Sequence, residues 1–166
     1  MAMVGLFWIT DESVYVGSPP NAEGHCVRLT SEGVQARGPD GVRTWPWPSL
    51  RSAVVEAVPA EDRARVAGRF LAAVLEAAVT LGSGYGEGPP EMLLVLETQD
   101  GTEEVPAAAA TAGYTARETA LSQRLLARLR EGASDLRLLT AWSRDHAGGP
   151  PKARERETLL REWTDG

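Results

Sequence analysis

Residues able to do chemistry are scarce in this chain: two histidines, His25 and His146, one cysteine, Cys26, and scattered carboxylates. A hydrolytic triad needs a histidine as base between a nucleophile and a carboxylate. No G-x-S-x-G frames a serine, and the two histidines lie at opposite ends of the sequence. His25 and Cys26 are adjacent, but neighbours on a strand point to opposite faces and cannot readily share a proton. Cys26 is therefore expected to behave as a small buried hydrophobe. One cysteine and two distant histidines also fall short of a closed zinc site. The pair Glu103-Glu104 is read as exposed charge on an edge strand. The glycine-rich run from Gly82 to Gly88 lacks the lysine and the following helix that would hold a phosphate, so it is read as a linker. No catalytic residue, metal or cofactor is expected, and the chain is read as a non-enzyme.

Two stretches are better suited to binding. In Trp45-Pro46-Trp47-Pro48 the alternate prolines force extended geometry, which places both indoles on one side if the period stays near two. Trp45 and Trp47 would then form an aromatic clamp for a peptide, or else close the mouth of a barrel. The tail from Lys152 to Trp163 carries Leu159, Leu160 and Trp163 among charged residues, with Glu157 and Arg161 at the i, i+4 spacing that supports a helix. So short a helix is marginal alone, and its apolar side must dock on its own domain, on a second copy or on another protein.

The elements that must hold these residues read mainly as short strands. Leu6 to Ile9 and Val14 to Val16 flank the polar break Thr10-Asp11-Glu12-Ser13, a hairpin. His25 to Leu29, Gly33 to Arg37 and Val42 to Trp45 continue the theme around turns at Thr30-Ser31-Glu32 and Gly38-Pro39-Asp40-Gly41, and Leu50 to Val58 follows. Over 61–81, Val66, Phe70, Val74 and Ala78 recur every four residues, which predicts an amphipathic helix. The Asp100-Gly101 pair between Met92 to Leu96 and Thr102 to Val105 is a hairpin signal. Thr115 with Glu118 makes a capping-box pattern ahead of Leu121, Leu125, Leu126 and Leu129, and Gly132 ends that helix. Further helices are expected over 135–147 and 152–163.

Composition narrows the partners. The chain has 166 residues, a net charge of −6 and 43% apolar residues, which suits a globular domain with a real core. Residues 1–114 carry 7 basic and 15 acidic side chains, whereas 115–166 carry 10 and 8. An acidic surface repels phosphate backbones, so nucleic acid is not an expected partner. A single cysteine forbids an intrachain disulfide. The N-terminal apolar run lacks a basic lead and reaches Asp11 too soon for a signal peptide, and the stretch from Phe70 to Leu81 is broken by Glu76. A cytoplasmic location without a transmembrane segment is expected. Lys152 is the sole lysine against 16 arginines, which points to GC-rich bacterial coding.

The order of elements resembles the pleckstrin-homology-like (PH-like) superfold. The resemblance is carried by Val27-Arg28-Leu29-Thr30-Ser31-Glu32-Gly33-Val34, the strand entering Trp45, the strand from Leu50 to Val58, the hairpin across Asp100-Gly101 and the helix Thr115 to Arg130. The chain also looks like small uncharacterised actinobacterial proteins with the same hairpin opening and Trp-rich ending. The resemblance implies an α+β fold: a PH-like antiparallel β-barrel or sandwich over residues 1–131, capped by its final helix. A helical insertion near 61–81 and a C-terminal helical extension over 132–166 depart from that plan. The loops Gly17 to Gly24 and Gly38 to Gly41 hold no Lys or Arg, so the basic lipid-binding loop of the superfold is missing. The functional expectation is a protein-interaction or scaffold domain, binding a protein partner or itself through Trp45, Trp47, Leu159, Leu160 or Trp163. The alternative is a small-ligand or lipid-binding barrel lined by the tryptophans and Leu94 or Leu96.

Overall fold

The structure, a computed structural model, describes residues 1–61 and 89–166. The helix expected over 61–81 and most of the glycine-rich connection after it fall on residues 62–88 and lie outside the described residues. The described chain is α+β, with two antiparallel sheets and three α-helices.

The first sheet is a six-stranded meander of β1 (Ala2–Val4), β2 (Phe7–Ile9), β3 (Val14–Val16), β4 (Cys26–Leu29), β5 (Gly33–Gly38) and β6 (Gly41–Pro46). Alternation along these strands sends Val4, Phe7, Ile9, Val14, Val16, Val27, Leu29, Val34 and Trp45 into the core. The β2–β3 hairpin is the one expected, its turn tied by Ser13 N donating to Thr10 Oγ1 at 2.9 Å. Strand β1 is additional: Gly5, at φ 57°, turns the chain so sharply that the N-terminal apolar run splits into two strands.

The second sheet is the meander of β7 (Leu50–Glu56), β8 (Glu91–Thr98) and β9 (Gly101–Ala108). Its β8–β9 hairpin turns through Gln99 and Asp100 and pairs Thr98 with Gly101. The expected barrel does not close. Chain continuity from β6 to β7 runs through a 3-10 turn, Trp47–Ser49, rather than through strand. Pro46 ends β6 without an N–H to offer and Pro48 sits inside the turn, so the ladder stops there. At another corner the sheets touch directly, where Ser18 N donates to Ala108 O at 2.7 Å. Gly17 makes that approach possible: at φ 77°, a Cβ would stand 2.1 Å from Ala108 O.

Helix α1 (Ala116–Glu131) opens with the expected capping box of Thr115 and Glu118 and ends at Gly132 in the left-handed conformation. It covers the free edge of β7. The Gln123 amide imitates a neighbouring strand, accepting from Val55 N at 3.0 Å and donating back to Val55 O. Arg130 donates to Leu50 O on the same edge, and Ser122 Oγ accepts from Leu6 N at 3.0 Å in the β1–β2 turn. Helices α2 (Leu136–Asp145) and α3 (Ala153–Asp165) follow close to their expected bounds. Leu139, Leu160 and Trp163 belong to the same buried cluster as the strand residues, so one core runs from β1 to α3.

Candidate binding groove

An open groove of about 740 Å³ lies where the α1–α2 junction faces one end of the first sheet. The β2–β3 turn and β3 contribute Glu12, Ser13 and Val14; β4 and the turn after it contribute Arg28, Leu29, Thr30 and Ser31. Trp47 enters from the 3-10 turn, and the opposite wall runs from Leu129 to Leu138. Short polar turns set this geometry. The Thr30 hydroxyl donates to Gly33 O and accepts from Gly33 N, closing the β4–β5 turn. Trp47 is fixed there twice, its N donating to Glu32 O at 3.0 Å and its Nε1 to Thr30 O at 2.9 Å.

Gly132, Ala133, Ser134 and Asp135 form the other wall. Asp135 caps α2 by accepting from Arg137 N at 2.9 Å, and Arg137 folds back to donate through Nε at 2.9 Å. These hydrogen bonds from Arg137 hold the Asp135 carboxyl below the usual carboxylate range and push the guanidinium pKa up. Arg130 is engaged by Leu50 O and by Glu131. Arg28 differs, because its Nε is covered without an acceptor and no carboxylate among the described residues pairs with it. Leu138 stands 54% exposed on the first turn of α2, beside the half-buried Leu136 and Trp47.

The residues proposed for binding fall in different places. Trp45 is buried on β6, with the Arg43 guanidinium 4.8 Å over its ring, while Arg43 also pairs with Glu103 of β9. Trp47 lies past Pro46 in the 3-10 turn, where the period of two is lost, so the indoles take separate roles in core and groove. In the tail, Leu160 is fully buried, Trp163 is 8% exposed with its ring edge-on to Trp142 at 5.7 Å, and Leu159 packs partly against the same core. These three dock within the chain's own fold. Leu94 and Leu96 are fully buried in that core as well.

The candidate reagents are dispersed. His25 Nδ1 lies 3.2 Å from Glu23, whereas His146 stacks on Trp142 at 4.8 Å and its Nε2 meets Gly149 O at 3.2 Å. Burial pushes the Cys26 thiol pKa up, against the opposing charges of Arg37 and Arg28, which disfavours the nucleophilic thiolate. Among the described residues no three His, Cys, Asp or Glu side chains gather to hold a metal ion, and no helix is long and apolar enough to cross a membrane. Of the residues lining the groove, sequence reasoning singles out Trp47 and not Leu138, Arg28 or Thr30. The groove is assembled from segments far apart in the chain, and only the exposed apolar position at Leu138 was a local signal. Compared with known protein families, curated proteins and solved structures, the chain gives no match.

Proposed function

We propose that this chain is a non-enzymatic protein-interaction domain on a PH-like scaffold, and that it receives an extended peptide segment of a partner in the α1–α2 groove. Two meanders followed by a helix over the open β7 edge support the scaffold reading. The observation that carries the binding reading is the groove itself: Trp47, Leu136 and Leu138 offer apolar surface beside Arg28, which has no carboxylate partner among the described residues. The segment it fits is apolar with one acidic side chain, whose carboxylate meets Arg28 while its apolar residues cover Leu138.

Selection from a displayed library of linear peptides tests this. Enriched peptides should combine apolar and acidic residues, shift backbone NMR signals of residues 28–31, 47 and 132–138, and lose binding to Leu138→Asp. Enriched peptides that bind Leu138→Asp as well as the parent chain would overturn it, as would failure to enrich any sequence.

A further inference from the structure

The register of the first sheet puts a second set of residues together on the face away from the core. Direct pairing aligns Met3, Trp8, Tyr15, Arg28, Gln35 and Thr44 in one row across all six strands, of which Met3 still packs against the core. A second row places Cys26 opposite Arg37 and Arg37 opposite Val42. The two rows contain two arginines and no Asp, Glu or Lys, in a chain whose net charge is −6. Trp8 and Tyr15 are direct cross-strand neighbours and only half-buried, although each sits between strand positions that are fully buried.

Polar bonding on this face is incomplete. Trp8 Nε1 and Arg28 Nε flank Tyr15 in the row, and both are covered without an acceptor. An unmade hydrogen bond of that kind is unfavourable, and rotation of either side chain toward an acceptor-bearing partner relieves it. Arg37 is exposed, and neither arginine has an ion-pair partner among the described residues.

We infer that this face is a second interface, which takes an acidic, folded protein surface. Tryptophan, tyrosine and arginine, the residues this face presents, are enriched at the centres of protein interfaces, where Lys, Asp and Glu are depleted. Charge selects the occupant. A second copy laid on the same face would bring Arg28 and Arg37 against their own kind, whereas carboxylates on a partner neutralise them and supply the missing acceptors. With the groove, which also draws on Arg28, this face gives the chain a second contact surface adjoining the first. Arg28 stands where the two surfaces meet, and the test therefore avoids it.

The test uses the full chain and a display library built on one small folded domain with a randomised surface patch. Selected binders should be rich in Asp and Glu, weaken with added salt, and lose affinity by roughly tenfold or more with Tyr15→Ser and with Arg37→Glu. Leu138→Asp should leave their binding unchanged, which separates this face from the groove. Circular dichroism and a melting curve on each variant establish that it is folded, and an Asp→Arg change in the binder should restore affinity for Arg37→Glu. The inference is overturned if the binders map elsewhere or ignore both substitutions. It is overturned equally if a single-stranded oligothymidylate quenches tryptophan fluorescence in a Tyr15-dependent way while acidic binders fail to emerge.

Discussion

Replacing Arg156 by Ala should cost a large share of the stability of this fold, because it strands a buried carboxylate. Glu118 is 1% exposed, and its Oε1 accepts from Arg156 Nε. The other oxygen accepts only a long bond from Thr115 N at 3.4 Å, so the capping box does not compensate for a lost guanidinium. Arg156 is itself largely buried and also donates to Pro151 O at 3.0 Å, which anchors the start of α3. Removing one partner from a buried ion pair typically costs about 3 to 5 kcal/mol, against about 5 to 15 kcal/mol for a whole domain. Two other pairs join the same helices, Arg117 with Glu157 and Arg124 with Asp165, each at 3.6 Å. The Arg124 pair is exposed on both sides and should contribute less than about 1 kcal/mol. Denaturant unfolding followed by tryptophan fluorescence reads the difference, since Trp163 sits on α3. Arg156→Ala should lower the midpoint strongly, Arg124→Ala should barely move it, and Glu118→Gln with Arg156→Met should recover most of the loss by removing the stranded charge. Equal and small effects of Arg156→Ala and Arg124→Ala would refute the reasoning.

Two further outcomes follow from the same packing. Gln123→Ala uncovers both backbone groups of Val55 on the β7 edge and should destabilise by about 1 to 3 kcal/mol in the same unfolding assay, with faster amide exchange at Val55. Burial raises the Tyr114 phenol pKa above its ordinary value, opposed by hydrogen bonds from Ala110 and Thr111. A raised folded-state pKa means that this contribution is complete below the unfolded-state pKa near 10 and is lost as pH rises through the higher folded value. Alkaline unfolding should therefore coincide with one phenol ionisation in an absorbance titration, and Tyr114→Phe should remove that component.

Local signals carried much of the architecture. Thr115, Glu118 and Gly132 bracket α1 because capping chemistry is confined to a few consecutive residues, and Asp100-Gly101 marks its hairpin for the same reason. Strand β1 was hidden because one glycine divides what reads as a single apolar run. The open arrangement of the sheets was hidden too, since alternation states which side of a strand is buried and not which strand lies beside it. The groove shows the limit most plainly: Glu12, Arg28, Trp47 and Leu138 have no sequence relation, and only the packing of α1 and α2 onto the strand ends brings them together.

The tail illustrates why an amphipathic pattern does not name what it docks on. Leu159, Leu160 and Trp163 required a partner surface, and that surface is written into residues that looked unrelated. Gly5 turns the chain between β1 and β2, and a Cβ there would stand 2.2 Å from Ser122 Oγ and 2.8 Å from a Leu160 methyl. The missing side chain at position 5 is therefore the space in which α1 and α3 meet the first hairpin. Leu6 N completes the junction by donating to Ser122. Glu118 serves the same junction a turn and more away, acting at once as the cap of α1 and as the counter-charge of Arg156. With its apolar side occupied in this way, α3 presents mainly charged residues outward. Among the described residues, the surfaces proposed to recruit a partner are the groove beside Leu138 and the aromatic, arginine-bearing face of the first sheet.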